Sequence, residues 1–160
     1  MENSVLASPF ARDGVGAKLI DNGFSPIPIL SGTKRPAMAD WTRYCDEAAD
    51  DIQTRVWEKW QGAGVGIACG YNGLVAVDFD TDDYRIIGAV QSILPHALVE
   101  KAGRCGFTAF YRSLTPVDSR AFNIDGKRII DLLADGRQSV IPPLCTRIPA
   151  GHTSGPRRWV

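Results

Sequence analysis

Residues 74–80, Leu-Val-Ala-Val-Asp-Phe-Asp, place four consecutive apolar residues directly before two carboxylates. A short apolar run of this kind is typical of a buried strand. Because residues i and i+2 of a strand point to the same side, Asp78 and Asp80 should project together near the end of the strand. Two carboxylates held that close repel each other. A divalent cation that prefers hard oxygen ligands, such as Mg²⁺ or Mn²⁺, would relieve this repulsion.

A second strand with an internal carboxylate follows at residues 128–133, Arg-Ile-Ile-Asp-Leu-Leu. A carboxylate in the middle of an apolar strand is costly unless it is paired or binds a metal. Asp131 therefore needs either a metal cation or a salt bridge, for which Arg104 and Arg128 are the candidates. Asp78 and Asp80 also have an alternative role, in which they cap the end of a strand and begin a turn. On neighbouring strands the three carboxylates would form a two-metal clamp suited to phosphoryl transfer.

The hydrophobic spacing predicts an α+β fold, a mostly antiparallel sheet with helices packed on it. Pro26 and Pro28 should confine their strand to a sheet edge, because proline cannot donate to the ladder. The Asn72-Gly73 pair predicts a hairpin between two strands. The expected helices cover 14–22, 51–60 (with Ile52, Val56 and Trp60 on one face) and 84–94. Trp41, Trp57 and Trp60 could stack bases, but their spacing with Val56 favours a place in the core. The expected strands cover 24–30, 64–69, 74–80, 107–112, 128–133 and 139–141.

Length and composition indicate one domain over residues 1–160 with a sizeable core. Lysine plus arginine equals aspartate plus glutamate at 18 each, so nucleic-acid contact would need a local basic patch. The four cysteines lack the spacing of a zinc site or of a secreted disulfide framework. No apolar run is long enough to span a membrane, and no signal peptide is evident. We expect a cytoplasmic protein without membrane contact.

Seven short motifs, in this order along the chain, resemble the bifunctional DNA primase/polymerase domain of the archaeo-eukaryotic primase superfamily. Each motif is weak alone, and their shared order makes the resemblance specific over about residues 17–159. The motifs are Asn-Gly-Phe-Ser-Pro-Ile-Pro-Ile (22–29), Lys-Arg-Pro (34–36) with Trp41, Val-Gly-Ile-Ala-Cys-Gly (65–70), Leu-Val-Ala-Val-Asp-Phe-Asp (74–80), Gly-Arg-Cys-Gly-Phe-Thr-Ala-Phe-Tyr-Arg (103–112), Ile-Asp-Leu-Leu-Ala-Asp-Gly-Arg-Gln-Ser-Val-Ile-Pro-Pro (130–143) and Trp159.

The resemblance implies an archaeo-eukaryotic primase-like fold, with an RRM-like antiparallel catalytic core and an additional N-terminal α/β unit. It implies that Asp78, Asp80 and Asp131 are the catalytic metal ligands for two Mg²⁺ or Mn²⁺ ions. Such proteins synthesise DNA, and often primers, from dNTPs or NTPs on a single-stranded DNA template. They occur in phages, plasmids and other mobile elements, with a fused or separate helicase. We expect the domain to be a monomer and the N-terminal part of a longer replication protein.

Two positions depart from the pattern of many relatives. Thr108 stands where a histidine commonly contacts the incoming triphosphate, although its hydroxyl can still donate a hydrogen bond to phosphate. A second histidine is missing after Pro142-Pro143, and His152 is the candidate to fill that position through a longer loop.

A triphosphate also requires cationic or hydrogen-bonding partners beyond the metals. The first candidates are Arg104, Arg137 and Lys34. Gln138 and Ser139 follow Arg137 directly after a tight turn and complete the expected nucleotide-binding set.

Two other functions fit parts of the same pattern. A haloacid dehalogenase-type phosphatase also ends an apolar strand in Asp-x-Asp, but in a parallel sheet and usually with Thr or Val two residues later, where this chain has Asp82. A catalytically weakened module that binds nucleotides or single-stranded DNA within a replication protein would explain the missing histidines.

Overall fold

The computed structural model describes residues 7–141, in which local contacts define two compact units, residues 7–72 with 136–141 and residues 73–135. Its helices are α1 (Val15–Asp21), α2 (Asp51–Trp57) and α3 (Tyr84–Gln91). Its strands are β1 (Pro26–Ile29), β2 (Gly64–Ala68), β3 (Leu74–Phe79), β4 (Val99–Ala102), β5 (Phe107–Arg112), β6 (Arg120–Ile124), β7 (Lys127–Leu133) and β8 (Gln138–Ile141). No helix in this range combines the length and apolarity needed to cross a bilayer.

The first unit contains a three-stranded antiparallel sheet in the order β1-β2-β8. Pro26 and Pro28 both lie in β1, and this strand is at the edge of the sheet as predicted. The edge position is the one that tolerates proline, because no neighbouring strand then needs the missing N–H group.

The buried face of α2 differs from the predicted one. Asp50 caps the helix by accepting a hydrogen bond from the Gln53 backbone N–H at 2.7 Å. Trp57 is fully buried, whereas Ile52 is 76% exposed and Val56 is 43% exposed. The face that carries Ile52 and Val56 is therefore not the buried one, whereas the expectation that Trp57 lies in the core is confirmed. The helix ends at Trp57, and the side of the helix that carries this indole is the side that faces the core.

The predicted hairpin at Asn72-Gly73 is also wrong. β2 pairs with β1 and β8, whereas β3 pairs with β5 and β7, so the two flanking strands belong to different sheets. Asn72 and Gly73 adopt the left-handed conformation that this dipeptide favours, with φ of 51° and 70°. The local turn preference was correct, but it does not determine which strands pair.

The second unit contains a five-stranded sheet in the order β4-β5-β3-β7-β6. Helix α3 packs on one face of this sheet, and the buried core there consists of Val77, Phe79, Ala109, Tyr111, Ile129 and Ile130. Every strand pairing found between residues 7 and 141 is antiparallel. The α+β prediction is confirmed, and the antiparallel pairing of β3 does not match the parallel sheet of the phosphatase alternative.

Candidate active site

The face of the second sheet opposite α3 carries a row of three polar side chains across its central strands. Asp78 on β3 is the register partner of Thr108 on β5 and of Asp131 on β7. Direct cross-strand partners have Cβ atoms about 4.5–5.5 Å apart. The sheet therefore brings carboxylates from two separate parts of the chain side by side, and we call this side of the sheet the acidic face.

Asp80 follows directly after the end of β3. Its backbone N–H donates to the carbonyl oxygen of Ile129 at 2.8 Å, which continues the ladder between β3 and β7. Ile129 is the residue at which the pairing of β7 becomes irregular, so the placement of Asp80 beside Asp78 stays a prediction from their spacing. The side chain of Asp80 is exposed to solvent.

Thr108 is engaged by Asp78. Its hydroxyl donates a hydrogen bond to Oδ1 of that carboxylate, and only 1% of the residue is exposed. A buried hydroxyl with this partner fixes the orientation of the carboxylate. Sequence reasoning expected the hydroxyl to contact phosphate, and it gave no indication of this bond because the strand order was unknown.

Asp131 is paired with Arg128, one of the two arginines considered from the sequence. The Nε of Arg128 donates to Oδ1 of Asp131, and 18% of the Asp131 side chain is exposed. In a regular strand, residues three apart point to opposite faces. Spacing alone therefore could not have identified this pair.

A β-bulge in β7 makes the ion pair possible. Phe122 on β6 pairs with Ile130, but Asn123 pairs with Arg128, so Ile129 has no partner on β6. Ile129 and Ile130 both belong to the buried core beneath α3. The extra residue thus turns Arg128 to the face that carries Asp131.

The acidic face has suitable chemistry for a hard divalent cation. Asp78 and Asp131 on one side of the sheet, and Asp80 just beyond the end of β3, supply the oxygen ligands that Mg²⁺ and Mn²⁺ prefer. Within the described range, no three potential ligand side chains are already gathered tightly enough to hold an ion. Asp78 is held by Thr108 and Asp131 by Arg128. The donor set fits, and metal binding at Asp131 would require its ion pair with Arg128 to open.

The next two acids have structural partners and are not part of the row. The backbone N–H of Gly106 donates to Asp82 at 2.8 Å, and this bond, with a second from the Cys105 thiol, holds the pKa of Asp82 below its usual range. Asp83 caps α3, and hydrogen bonds from the side chain and then the backbone N–H of Arg85 lower the pKa of Asp83 to about 2.

Gly106 anchors the loop between β4 and β5 against the end of β3. Its φ is 62°, and a Cβ atom at this position would lie 1.9 Å from the carbonyl oxygen of Phe79. We expect Gly106→Ala to lower the free energy of unfolding by roughly 2–4 kcal/mol, because left-handed strain and a backbone clash add.

Gly126→Ala is the matched control for this steric effect. Gly126 has a φ of 75°, but a Cβ there would meet nothing within 4 Å, so the loss should be about 1 kcal/mol from backbone strain alone. Urea unfolding measures both variants. Equal losses would contradict the close approach of Gly106 to Phe79.

The remaining candidates for nucleotide binding fall into three groups. Arg104 is an exposed cation in the loop of the second unit that contains Gly106. In the first unit, the Nε2 of Gln138 donates to the carbonyl oxygen of Lys34 at 2.9 Å, which brings these two candidates together. Arg137 is exposed beside Gln138, whereas Ser139 is only 4% exposed. His152 lies outside the described residues.

Comparison with known families agrees with the sequence motifs. A search of curated proteins gives no match. The family model described as bifunctional DNA primase/polymerase, N-terminal, matches residues 17–160, which is nearly the whole chain. The three helices and two antiparallel sheets found in residues 7–141 are consistent with this domain. The chain therefore belongs to the family of bifunctional DNA primase/polymerase N-terminal domains.

Proposed function

We propose that this chain is a metal-dependent nucleotidyltransferase that synthesises DNA from nucleoside triphosphates on a single-stranded template, with primer synthesis as a second activity. The observation that carries the proposal is the register of β3 and β7, which sets Asp131 directly opposite Asp78. Family membership supports primase or polymerase chemistry in general. We further propose a role in replication of a phage, plasmid or other mobile element, together with a helicase.

Asp78, Asp80 and Asp131 would hold two Mg²⁺ or Mn²⁺ ions. When bound, such ions offset the negative charge of a triphosphate and activate an attacking hydroxyl. The role of the protein is to hold the ligand side chains in position before the ions bind. Thr108 restrains the Asp78 carboxylate, and the backbone ladder between Asp80 and Ile129 fixes the end of the strand.

The triphosphate would also need positive charge and hydrogen-bond donors from the protein. We propose Arg104, which lies in the same unit as the acidic face, for this role, whereas Lys34, Arg137 and Gln138 stay candidates from the sequence. Arg104 and Arg137 are exposed, and Gln138 is tied to the backbone of Lys34. Ser139 and His152 remain predictions from the sequence, and the burial of Ser139 favours a packing role for its side chain.

A nucleotide-incorporation assay tests this function. Labelled dNTPs or NTPs are supplied with a primed or an unprimed single-stranded template, in Mg²⁺ or in Mn²⁺. We expect template-dependent products that a chelator abolishes. Binding of metal and triphosphate without extension under any of these conditions would instead support the weakened binding module.

Removing the Thr108 hydroxyl should impair the metal site without creating a cavity in the core. Thr108→Val leaves the Asp78 carboxylate without its buried donor, and loss of such outer partners of metal ligands typically costs about 10–100-fold in metal affinity or activity. Thr108→Ser retains the hydroxyl and should keep most of the activity. The measurement is the incorporation rate as a function of Mn²⁺ concentration. Equal defects in the two variants would indicate that only packing at this position matters.

A further inference from the structure

The ion pair between Arg128 and Asp131 is formed on the acidic face itself. The guanidinium contacts Oδ1 of Asp131, one of the oxygens that a cation would need. The Arg128 side chain is 59% exposed and that of Asp131 is 18% exposed, so the arginine can leave into solvent more easily than the carboxylate can. The pair therefore joins an exposed guanidinium to a mostly buried carboxylate.

The β-bulge in β7 explains why Arg128 and Asp131 can form this ion pair. Without the extra residue in β7, Arg128 would alternate to the face beneath α3, where Ile129 and Ile130 are buried. The local irregularity thus places a positive charge beside the acidic row.

The positive charge of Arg128 also reduces electrostatic repulsion within the sheet. Asp78 and Asp131 are direct cross-strand partners, and like charges in that position destabilise a sheet. Thr108 supplies a hydrogen bond to Asp78 but no charge. Arg128 is the cation that offsets this repulsion on the side of Asp131.

We propose that Arg128 is an internal counter-ion for Asp131 that an incoming divalent cation must displace, so that it sets the cation affinity of the site. This inference rests on the proposed function, because it takes Asp131 as a metal ligand. Arg128 is a positioning residue under this proposal, since it acts on the carboxylate. Removing it should make the site bind cations more tightly, which is the opposite of what loss of a merely structural contact would do.

The test measures binding of Mn²⁺ alone to the full chain, by calorimetry or by the electron paramagnetic resonance signal of free Mn²⁺. We expect Arg128→Gln to lower the Kd roughly threefold to tenfold, because the competing pair is lost. Arg128→Lys keeps the positive charge, so its Kd for Mn²⁺ should lie between those of the unchanged chain and Arg128→Gln. Arg120→Gln is the control, since it removes one exposed positive charge on the neighbouring strand at the register partner of Leu132, on the other face.

Thermal unfolding in the presence of a chelator provides a second measurement. Arg128→Gln should unfold at a lower temperature than the unchanged chain without metal, and added Mn²⁺ should reduce the difference. An unchanged or weaker Mn²⁺ affinity in Arg128→Gln would overturn the inference while leaving the metal site in place. If neither the unchanged chain nor Arg128→Gln binds Mn²⁺, the proposed function itself fails. A Mn²⁺ affinity that is unchanged in Asp131→Asn would show that this carboxylate is not a ligand.

Discussion

Replacing Asp131 or Asp78 with asparagine should lower the rate of nucleotide incorporation at least about 1000-fold, on the order of 4 kcal/mol of transition-state stabilisation. Asparagine has nearly the same shape as aspartate and can still accept the hydrogen bond from Thr108, so the sheet should remain intact. What is lost is the negative charge that binds a cation. The measurement is steady-state incorporation in Mg²⁺ and in Mn²⁺, with circular dichroism to confirm folding.

Asp83→Asn is the matched control for these two variants. It makes the same chemical change five residues after Asp78, at a carboxylate that caps α3. Asparagine is also a favourable helix cap, so incorporation should stay within about twofold of the unchanged chain. Turnover of Asp131→Asn at the same level as Asp83→Asn would remove Asp131 from the active site and, with it, the mechanism proposed here.

The sequence predicted the parts of this site that depend on alternation along one strand. The two-residue spacing of Asp78 and Asp80 predicts that they share a face, and Asp131 stands out because it interrupts an apolar run. The neighbouring position of β3 and β7 could not be derived from spacing, since the two strands are separated by α3, β4, β5 and β6. That part of the expectation came from the family resemblance.

The features that sequence reasoning missed depend on pairing between strands. β6 was not predicted, because apolar and polar residues alternate in it only over Phe122-Asn123-Ile124, which is too short to indicate a strand; all five of its residues are exposed. Without β6 the bulge in β7 could not be inferred, and without the bulge Arg128 would be assigned to the wrong face. The hairpin predicted at Asn72-Gly73 failed for the same reason, because a turn preference does not select a partner strand.

Helix α2 shows how a local pattern can identify an element and still misplace its buried face. Ile52, Val56 and Trp60 have helical spacing, but the residue that reaches the core is Trp57. Its indole packs edge-on against Phe10 and Tyr44, with ring centroids 5.1 and 5.2 Å away. The sequence placed Trp57 in the core, but spacing within the helix could not reveal that three aromatic rings from separate segments meet there.

Trp57→Ala should consequently lower the free energy of unfolding by about 3–5 kcal/mol, because it leaves a large cavity among these rings. Val56→Ala is the control on the same helix, and since Val56 is 43% exposed its effect should stay within about 0.5 kcal/mol. Trp57→Phe should lose less than Trp57→Ala, because a ring still fills most of the space. The indole Nε1 also has no hydrogen-bond partner among the described residues, so phenylalanine removes a buried polar group that costs about 1–3 kcal/mol. Urea unfolding followed by far-ultraviolet circular dichroism distinguishes the three variants, and a loss in Val56→Ala equal to that in Trp57→Ala would restore the face predicted from the helical spacing.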